Sequence, residues 1–406
     1  LDGDMDILAG AYRADNKIVW YENESNSQFA EAKEIENRTS GNLFHMQPID
    51  LDGDGDSDIL SSGNYDDVVG WIENKGEGEF SEMNSISYSY ANAEDVMAVD
   101  IDGDGRLDIL SCATAIDKVS WFQNLGDGRF SSERLVTDSL NAPTALFATD
   151  LDGDNDMDVI ASSGDPKVVW YENDGSGVFG EEQVLPNGEN ITLSVYAADL
   201  DGDGDEDIIS SLFWDDQLIW YENDGTGGFS SEKLIFDGVD ALRDIYAADM
   251  DGDGDIDILT ASSVDDLIRW YENDGNANFE AKTVNTSLRD PQTVLAADLD
   301  EDGDLDILSA SVNSRDIAWF ENSGDGRFAS KKRISDEVRA VYAIHAADVD
   351  NDGDQDVLAG SVSDGIIALH RNKGLGKFEE VRDTIATDVV VNIAIFNSPS
   401  SCLRKI

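Results

Sequence analysis

The chain has 406 residues, 40% of them apolar, and a formal net charge of −60 from 87 acidic against 27 basic residues. Such a surface repels nucleic acid and anionic lipid, both of which need a basic patch. The regular alternation of Ile, Val, Leu and Trp with polar residues sets the chain apart from disordered acidic segments.

The chain opens inside a motif, "LDGDMDIL", where Asp2, Asp4 and Asp6 form a truncated copy of an aspartate phrase. It has no initiator Met and no signal peptide there, and so reads as a processed product or a fragment. Complete copies start at Asp50, Asp100, Asp150, Asp199, Asp249, Asp298 and Asp348, spaced by 49 or 50 residues. A second phrase follows each: "WYEN" at 20, 170, 220 and 270, "WIEN" at 71, "WFQN" at 121, "WFEN" at 319 and a decayed "LHRN" at 369. A Phe stands nine residues after each of these positions, from Phe29 to Phe378. Length alone suggests two or three domains, but a repeat in fixed register overrides that prior.

Each repeat reads as four short strands. Strand A precedes the loop ("VYAAD", 195–199) and strand B follows it ("DILSS", 58–62). Strand C carries the Trp ("LIWYEN", 218–223), and a Gly-rich hairpin turn leads to strand D ("FSSEKLI", 229–235). Helical periodicity is missing. The residue two before the Trp is always apolar (Ile18, Val69, Val119, Val168, Leu218, Ile268, Ile317, Ile367) and shares its face. Sheets covered on both faces and repeated every 50 residues indicate an all-β, eight-bladed β-propeller of four-stranded antiparallel blades. The run "VVVNIAIF" (389–396) falls at the strand A position of a ninth copy, so it is expected to complete the first blade and close the ring. The propeller is expected to span 1–398 as one domain, with a tail over 399–406. Cys112 falls where other repeats have Ser or Ala and reads as a small buried residue; with Cys402 it makes no disulfide framework.

The loop, numbered from its first Asp, has Asp at positions 1, 3, 5 and 9 in all seven copies. These are Asp50, Asp52, Asp54 and Asp58; Asp100, Asp102, Asp104 and Asp108; Asp150, Asp152, Asp154 and Asp158; Asp199, Asp201, Asp203 and Asp207; Asp249, Asp251, Asp253 and Asp257; Asp298, Asp300, Asp302 and Asp306; Asp348, Asp350, Asp352 and Asp356. Position 6 is Gly except for Asn155, the two residues that most easily take positive φ. Position 7 is Asp56, Asp156, Asp205, Asp255, Asp304 and Asp354, but Arg106 once. A side-chain ligand could not be replaced by Arg, whereas a backbone carbonyl could, so position 7 is assigned as a carbonyl ligand. Four carboxylates, one carbonyl and a sharp turn suit calcium, which takes six to eight oxygens in flexible geometry. Magnesium prefers more water, and zinc would want His or Cys.

The loop D-x-D-G-D-G-x-x-D between the first two strands of a Trp-bearing blade resembles the FG-GAP/VCBS class of calcium-binding β-propellers, seen in integrin α-subunit heads, a fungal lectin, bacterial surface proteins and some polysaccharide lyases. The resemblance covers essentially the whole chain. It implies calcium on the matching aspartates, about seven ions, and no single activity, because fold does not fix function. The truncated first loop lacks positions 1 and 3, with only Ser398 and Ser400 near them, so an ion there is not expected.

No GxSxG, HExxH, P-loop or Cys–His pair appears, and His45, His345 and His370 sit at three different repeat offsets. The chain is therefore read as a non-enzyme. The preferred reading is a secreted or cell-surface, calcium-stabilised adhesion or ligand-binding module for an extracellular glycan or protein, without membrane insertion. A structural subunit of an extracellular assembly is the alternative. Glycosidase chemistry needs only two carboxylates, so a polysaccharide lyase or hydrolase is the third reading. Candidate ligand contacts are the aromatics Tyr12, Tyr65, Phe213 and Trp214 on the variable B–C loops; Trp214 is the only Trp outside the repeat register. Sequons at Asn23, Asn37, Asn190 and Asn285 fit a secreted glycoprotein in a host that glycosylates.

Overall fold

A computed structural model describes residues 5–11, 17–24, 28–37, 43–63, 68–76, 78–87, 91–165, 167–185, 192–212, 216–285, 287–379, 383–387 and 391–395. The strands form eight antiparallel four-stranded sheets, the blades of a propeller. Blade 1 takes strands B, C and D from 7–37. Blades 2 to 8 occupy 43–87, 93–137, 146–185, 192–237, 242–285, 291–335 and 341–387. Strand A of blade 1 is Val391–Ile395, which pairs antiparallel with Ile7–Ala11, so the ring closes as expected. Among the described residues the one helical element is a 3-10 turn, Thr114–Ile116. No helix is long and apolar enough to cross a membrane.

Strand D starts later than the sequence pattern suggests. In blade 5 it spans Lys233–Asp237, and Phe229 makes only an isolated bridge to Asn223. The Phe is used for packing instead: it stands edge-on to the Trp of the preceding blade. Trp20–Phe80, Trp71–Phe130, Trp170–Phe229 and Trp270–Phe328 meet this way, with ring centroids 5.5–6.2 Å apart. Only in blade 6 does strand D run from the Phe itself, as Phe279–Asn285.

The core is divided into eight clusters, one per blade interface. Trp121 of blade 3 packs with Tyr171 of blade 4, Trp170 with Tyr221, Trp220 with Tyr271 and Trp270 with Phe320. The aromatic after the Trp therefore faces the preceding blade and the Trp faces the following one. Burying each Trp contributes about 2–3 kcal/mol before entropy is counted. On its own blade the Trp is covered by a basic side chain from strand D: Arg134 over Trp121, Lys233 over Trp220, Lys282 over Trp270 and Lys332 over Trp319.

The next blade's C–D turn seals the ring of the Trp. Gly177 has φ +74°, and a Cβ there would lie 2.0 Å from Cζ2 of Trp121, whose Nε1 donates to Gly177 O (3.2 Å). Blade 6 has Ala277 at this place, at φ 51°. Gly177→Ala adds both positive-φ strain and a ring clash, and should cost about 2–4 kcal/mol. Ala277→Gly, which removes a Cβ already accommodated, should change the midpoint little. Thermal or urea unfolding of the two variants checks this contrast.

Candidate metal centres

Each A–B loop folds its backbone around its own aspartates. In the loop 50–58, Asp50 accepts from the N–H groups of Gly53 (2.8 Å) and Gly55 (3.0 Å). Asp52 accepts from Asp54 N (3.2 Å) and Asp54 from Asp56 N (2.9 Å). This winding needs positive φ at two places. At position 6, φ is 96° for Gly55 and 72° for Asn155, as the Gly/Asn pattern requires. Position 4 has the same need, which sequence reasoning missed: Gly53 has φ 80°, and the two copies without Gly have Glu301 at 63° and Asn351 at 58°. Gly at position 4 in the other five copies was the signal available.

Position 9 is the anchor. Asp58, Asp108, Asp158, Asp207, Asp257, Asp306 and Asp356 are fully buried. Oδ2 of Asp58 accepts from Leu51 N (2.9 Å) at the start of the loop, and Oδ1 accepts from Asn74 N (2.8 Å) at the end of strand C. The same two bonds recur in the other six loops. Burial pushes these carboxyls up, to about 7 for Asp58, Asp158, Asp207, Asp306 and Asp356 and to about 6 for Asp108 and Asp257. Position 3 is raised as well, first by burial and then by the neighbouring charge at position 5, as Asp54 acts on Asp52.

Carboxylate oxygens converge above this anchor. One oxygen from each of Asp50, Asp52 and Asp58 lies within 4.8 Å of the others, and the same holds for positions 1, 3 and 9 of the loops at 100, 150 and 249 and for Asp199, Asp201 and Asp203. Oδ1 of Asp102, Asp251, Asp300 and Asp350 at position 3, and of Asp298 at position 1, are buried with no hydrogen-bond donor. Asp300 is only 8% exposed. A buried carboxylate oxygen without a donor is costly, and an oxygen-seeking cation fits that vacancy in the bonding. Position 7 side chains lie elsewhere. Asp156, Asp205, Asp255 and Asp304 stand over the first glycine of their own blade's C–D turn, where a Cβ would meet the carboxylate at 2.3–2.4 Å. Arg106 leans the same way and donates from Nε to Asn124 O (3.0 Å).

The Asn of the Trp phrase, which sequence reasoning left without a role, ties blade to blade. Asn124 Nδ2 donates to Leu51 O (2.7 Å), the position 2 carbonyl of the preceding blade's loop. Asn173, Asn223, Asn273, Asn322 and Asn372 do the same toward Ile101, Leu151, Leu200, Met250 and Leu299. Asn23 reaches Val349 O (2.7 Å) across the ring closure. This corrects the glycosylation reading of Asn23: its amide is fully buried and donates to two backbone carbonyls, so no glycan can be attached there. Asn37 and Asn285 end strands Lys33–Asn37 and Phe279–Asn285. Asn190, Tyr12, Tyr65, Phe213 and Trp214 lie outside the described residues, as do the 399–406 tail and Cys402. Cys112 is buried. His45 contacts Asp95 of the next blade (Nδ1–Oδ1 3.1 Å), whereas His345 and His370 lie on strands Val341–Ala347 and Ile366–His370 of blade 8, with His370 buried.

The FG-GAP-like repeat matches residues 1–61, 50–111, 100–161, 150–210, 211–260, 249–309 and 298–359. The chain belongs to that repeat family. No curated protein matches it. Among solved structures it is similar to an Agrocybe aegerita lectin that recognises non-reducing terminal N-acetylglucosamine, at 21% identity and TM-score 0.58 over 82% of this chain and 91% of the lectin. It is also similar to a Bacteroides uniformis protein provisionally described as a 6-phosphogluconolactonase, at 12% identity and TM-score 0.55 over 97% of this chain and 100% of that one. At these identities the likeness is one of fold.

The raised carboxyls set a pH dependence for metal-free protein. Their folded values of about 6 to 7 lie above the ordinary 3.8. The stability they contribute is therefore complete below about pH 4 and lost as pH rises through about 7. The melting midpoint of chelator-treated protein should fall between about pH 5 and pH 8. A midpoint that is flat or rising there would contradict the desolvated anchor.

Proposed function

We propose that the chain is a secreted or cell-surface propeller, stabilised by about seven calcium ions, that serves as an adhesion or ligand-binding module for an extracellular glycan or protein. The observation that carries the calcium part is the set of buried position 3 oxygens without donors, repeated beside a fully buried position 9 carboxylate. Positions 1, 3, 5 and 9 would hold the ion by carboxylate and position 7 by its carbonyl. Bound calcium supplies charge compensation that the chain's own residues lack. Extracellular calcium modules work in the ~0.1–1 mM range. At ~10 mM calcium each site would add about 1.5–3 kcal/mol by linkage. Chelation should therefore lower the melting midpoint sharply at neutral pH; an unchanged midpoint would sink the calcium assignment.

The binding part rests on the contrast between faces. The A–B loops repeat one structure around the ring, whereas the B–C loops differ in sequence and carry Tyr12, Tyr65, Phe213 and Trp214. Aromatic side chains on variable loops suit a sugar face or a protein surface. The fold-level likeness to a lectin makes glycans the first class to screen. Binding on a glycan array should be lost in Trp214→Ala with the melting midpoint intact; retained binding would move the site elsewhere. One observation favours the second reading, a subunit of an extracellular assembly. Leu135, Val184 and Leu234, on the outer strands of three consecutive blades, are 46%, 54% and 55% exposed. Ordered self-association of the purified chain is the outcome that would select it.

A further inference from the structure

The seven loops share one backbone but not one electrostatic setting. The third residue of the Trp phrase stands beside position 3 of its own blade's loop. It is Glu73, Glu172, Glu222, Glu272 and Glu321 in blades 2, 4, 5, 6 and 7, a negative charge beside the position 3 carboxylate, which in blades 5, 6 and 7 also pairs with Lys233, Lys282 or Lys332. Blades 3 and 8 depart from this. In blade 3 the residue is Gln123, whose Nε2 donates to Asp102 Oδ2, while Arg134 donates to its Oε1. In the same loop Arg106 pairs through Nη2 with Asp104 Oδ2, and Asp104 Oδ1 already accepts from Arg106 N (3.0 Å). Both oxygens of that position 5 carboxylate are thus engaged from within the loop. In blade 8 the residue is Arg371, whose Nε lies 3.9 Å from Asp350 Oδ2 and whose guanidinium also meets Glu379 and Asp383. The loop at 50 with Glu73 presents six carboxylates. The loop at 100 presents four and a guanidinium, and the loop at 348 five and a guanidinium.

We infer that the seven cation sites form two classes: five tight sites in blades 2, 4, 5, 6 and 7, and two weakened sites, in blades 3 and 8, whose carboxylates are partly neutralised by Arg106 with Gln123 and by Arg371. This rests on the calcium reading above. The four ligand carboxylates are the same in all seven loops, so the difference lies in the charges beside them: a guanidinium this close opposes a divalent ion in a part-buried setting where screening is weak. Asp102 Oδ1 and Asp350 Oδ1 remain without donors, so the two sites are weakened and not abolished. The guanidinium also gives these blades a counterion of their own, which holds their loops when calcium is scarce.

Calcium titration of metal-stripped protein, by calorimetry and by equilibrium dialysis with metal analysis, reads the classes directly. The expected result is about five ions bound first and about two more at roughly tenfold or higher free calcium. Arg106→Asp with Gln123→Glu should move one ion from the weak class to the tight class, and Arg371→Glu should move another. Because Arg371 also meets Glu379 and Asp383, a reciprocal variant guards against a folding defect. Asp56→Arg with Glu73→Gln should move one ion from tight to weak, mirroring blade 3. Seven equivalent ions, or class sizes unmoved by the blade 3 and reciprocal variants, would overturn the inference while leaving calcium binding intact. Binding of no calcium at all would overturn both readings.

Discussion

A carboxylate buried at the end of each A–B loop organises the propeller. Position 9 Asp spends both oxygens on backbone N–H groups, one opening the loop and one closing strand C. The strand C residue it grips is the Asn that reaches back to the preceding blade's loop. A polar chain of anchor, strand C and preceding loop therefore links seven of the eight blade junctions through buried atoms. Two hydrogen bonds offset only part of the cost of a buried charge, which is why the carboxyl is pushed up and why the oxygens above it lack donors. The proposed cation sites and the blade packing share these atoms.

The apolar half of each interface is built on the same logic of pairing across blades. The Trp of one blade meets the Phe and the C–D turn of the next, and in blades 1, 3, 5, 6 and 7 its other side is covered by a Lys or Arg from its own strand D. That base in turn pairs with the glutamate of the Trp phrase, as Lys233 does with Glu222 (2.5 Å) and Lys332 with Glu321 (2.6 Å). Such exposed ion pairs contribute little on their own. Their role here is to hold the lysine ammonium over the indole face. Strand D, the outermost and least covered strand, is thereby tied to the core through its first residue.

The fold was legible because its signals are local and repeated. The aspartate register, the Trp phrase and the ninth strand A copy were enough to place eight blades and the closure. Arg106 and Asn155, the imperfect copies, separated the roles of positions 7 and 6. What stayed hidden depends on contacts made 56 to 73 residues away in these examples. Asn124 finding Leu51 O, or Gly177 lying on Trp121, leaves no mark in a single repeat, so the Asn read as a strand end and the glycine as an ordinary hairpin residue. The sequon at Asn23 misled for the same reason: a surface signal coincided with a buried tie. Strand D misled because its Phe has the register of a strand residue but packs as a plug.

The interface between blades 8 and 1 differs from the other seven. Leu369 stands where each other blade has Trp, and it shares a cluster with Tyr21 and Phe29. The chain's two ends meet in the adjoining blade 1, where Val391–Ile395 pairs with Ile7–Ala11. The circle thus has a seam with a leucine in place of the tryptophan, joined by Asn23 on Val349 O and, within blade 1, by the Ile7–Ala11 ladder. Opening the ring there would expose Leu369 where each other junction would expose a Trp, a smaller loss of buried side chain at that position.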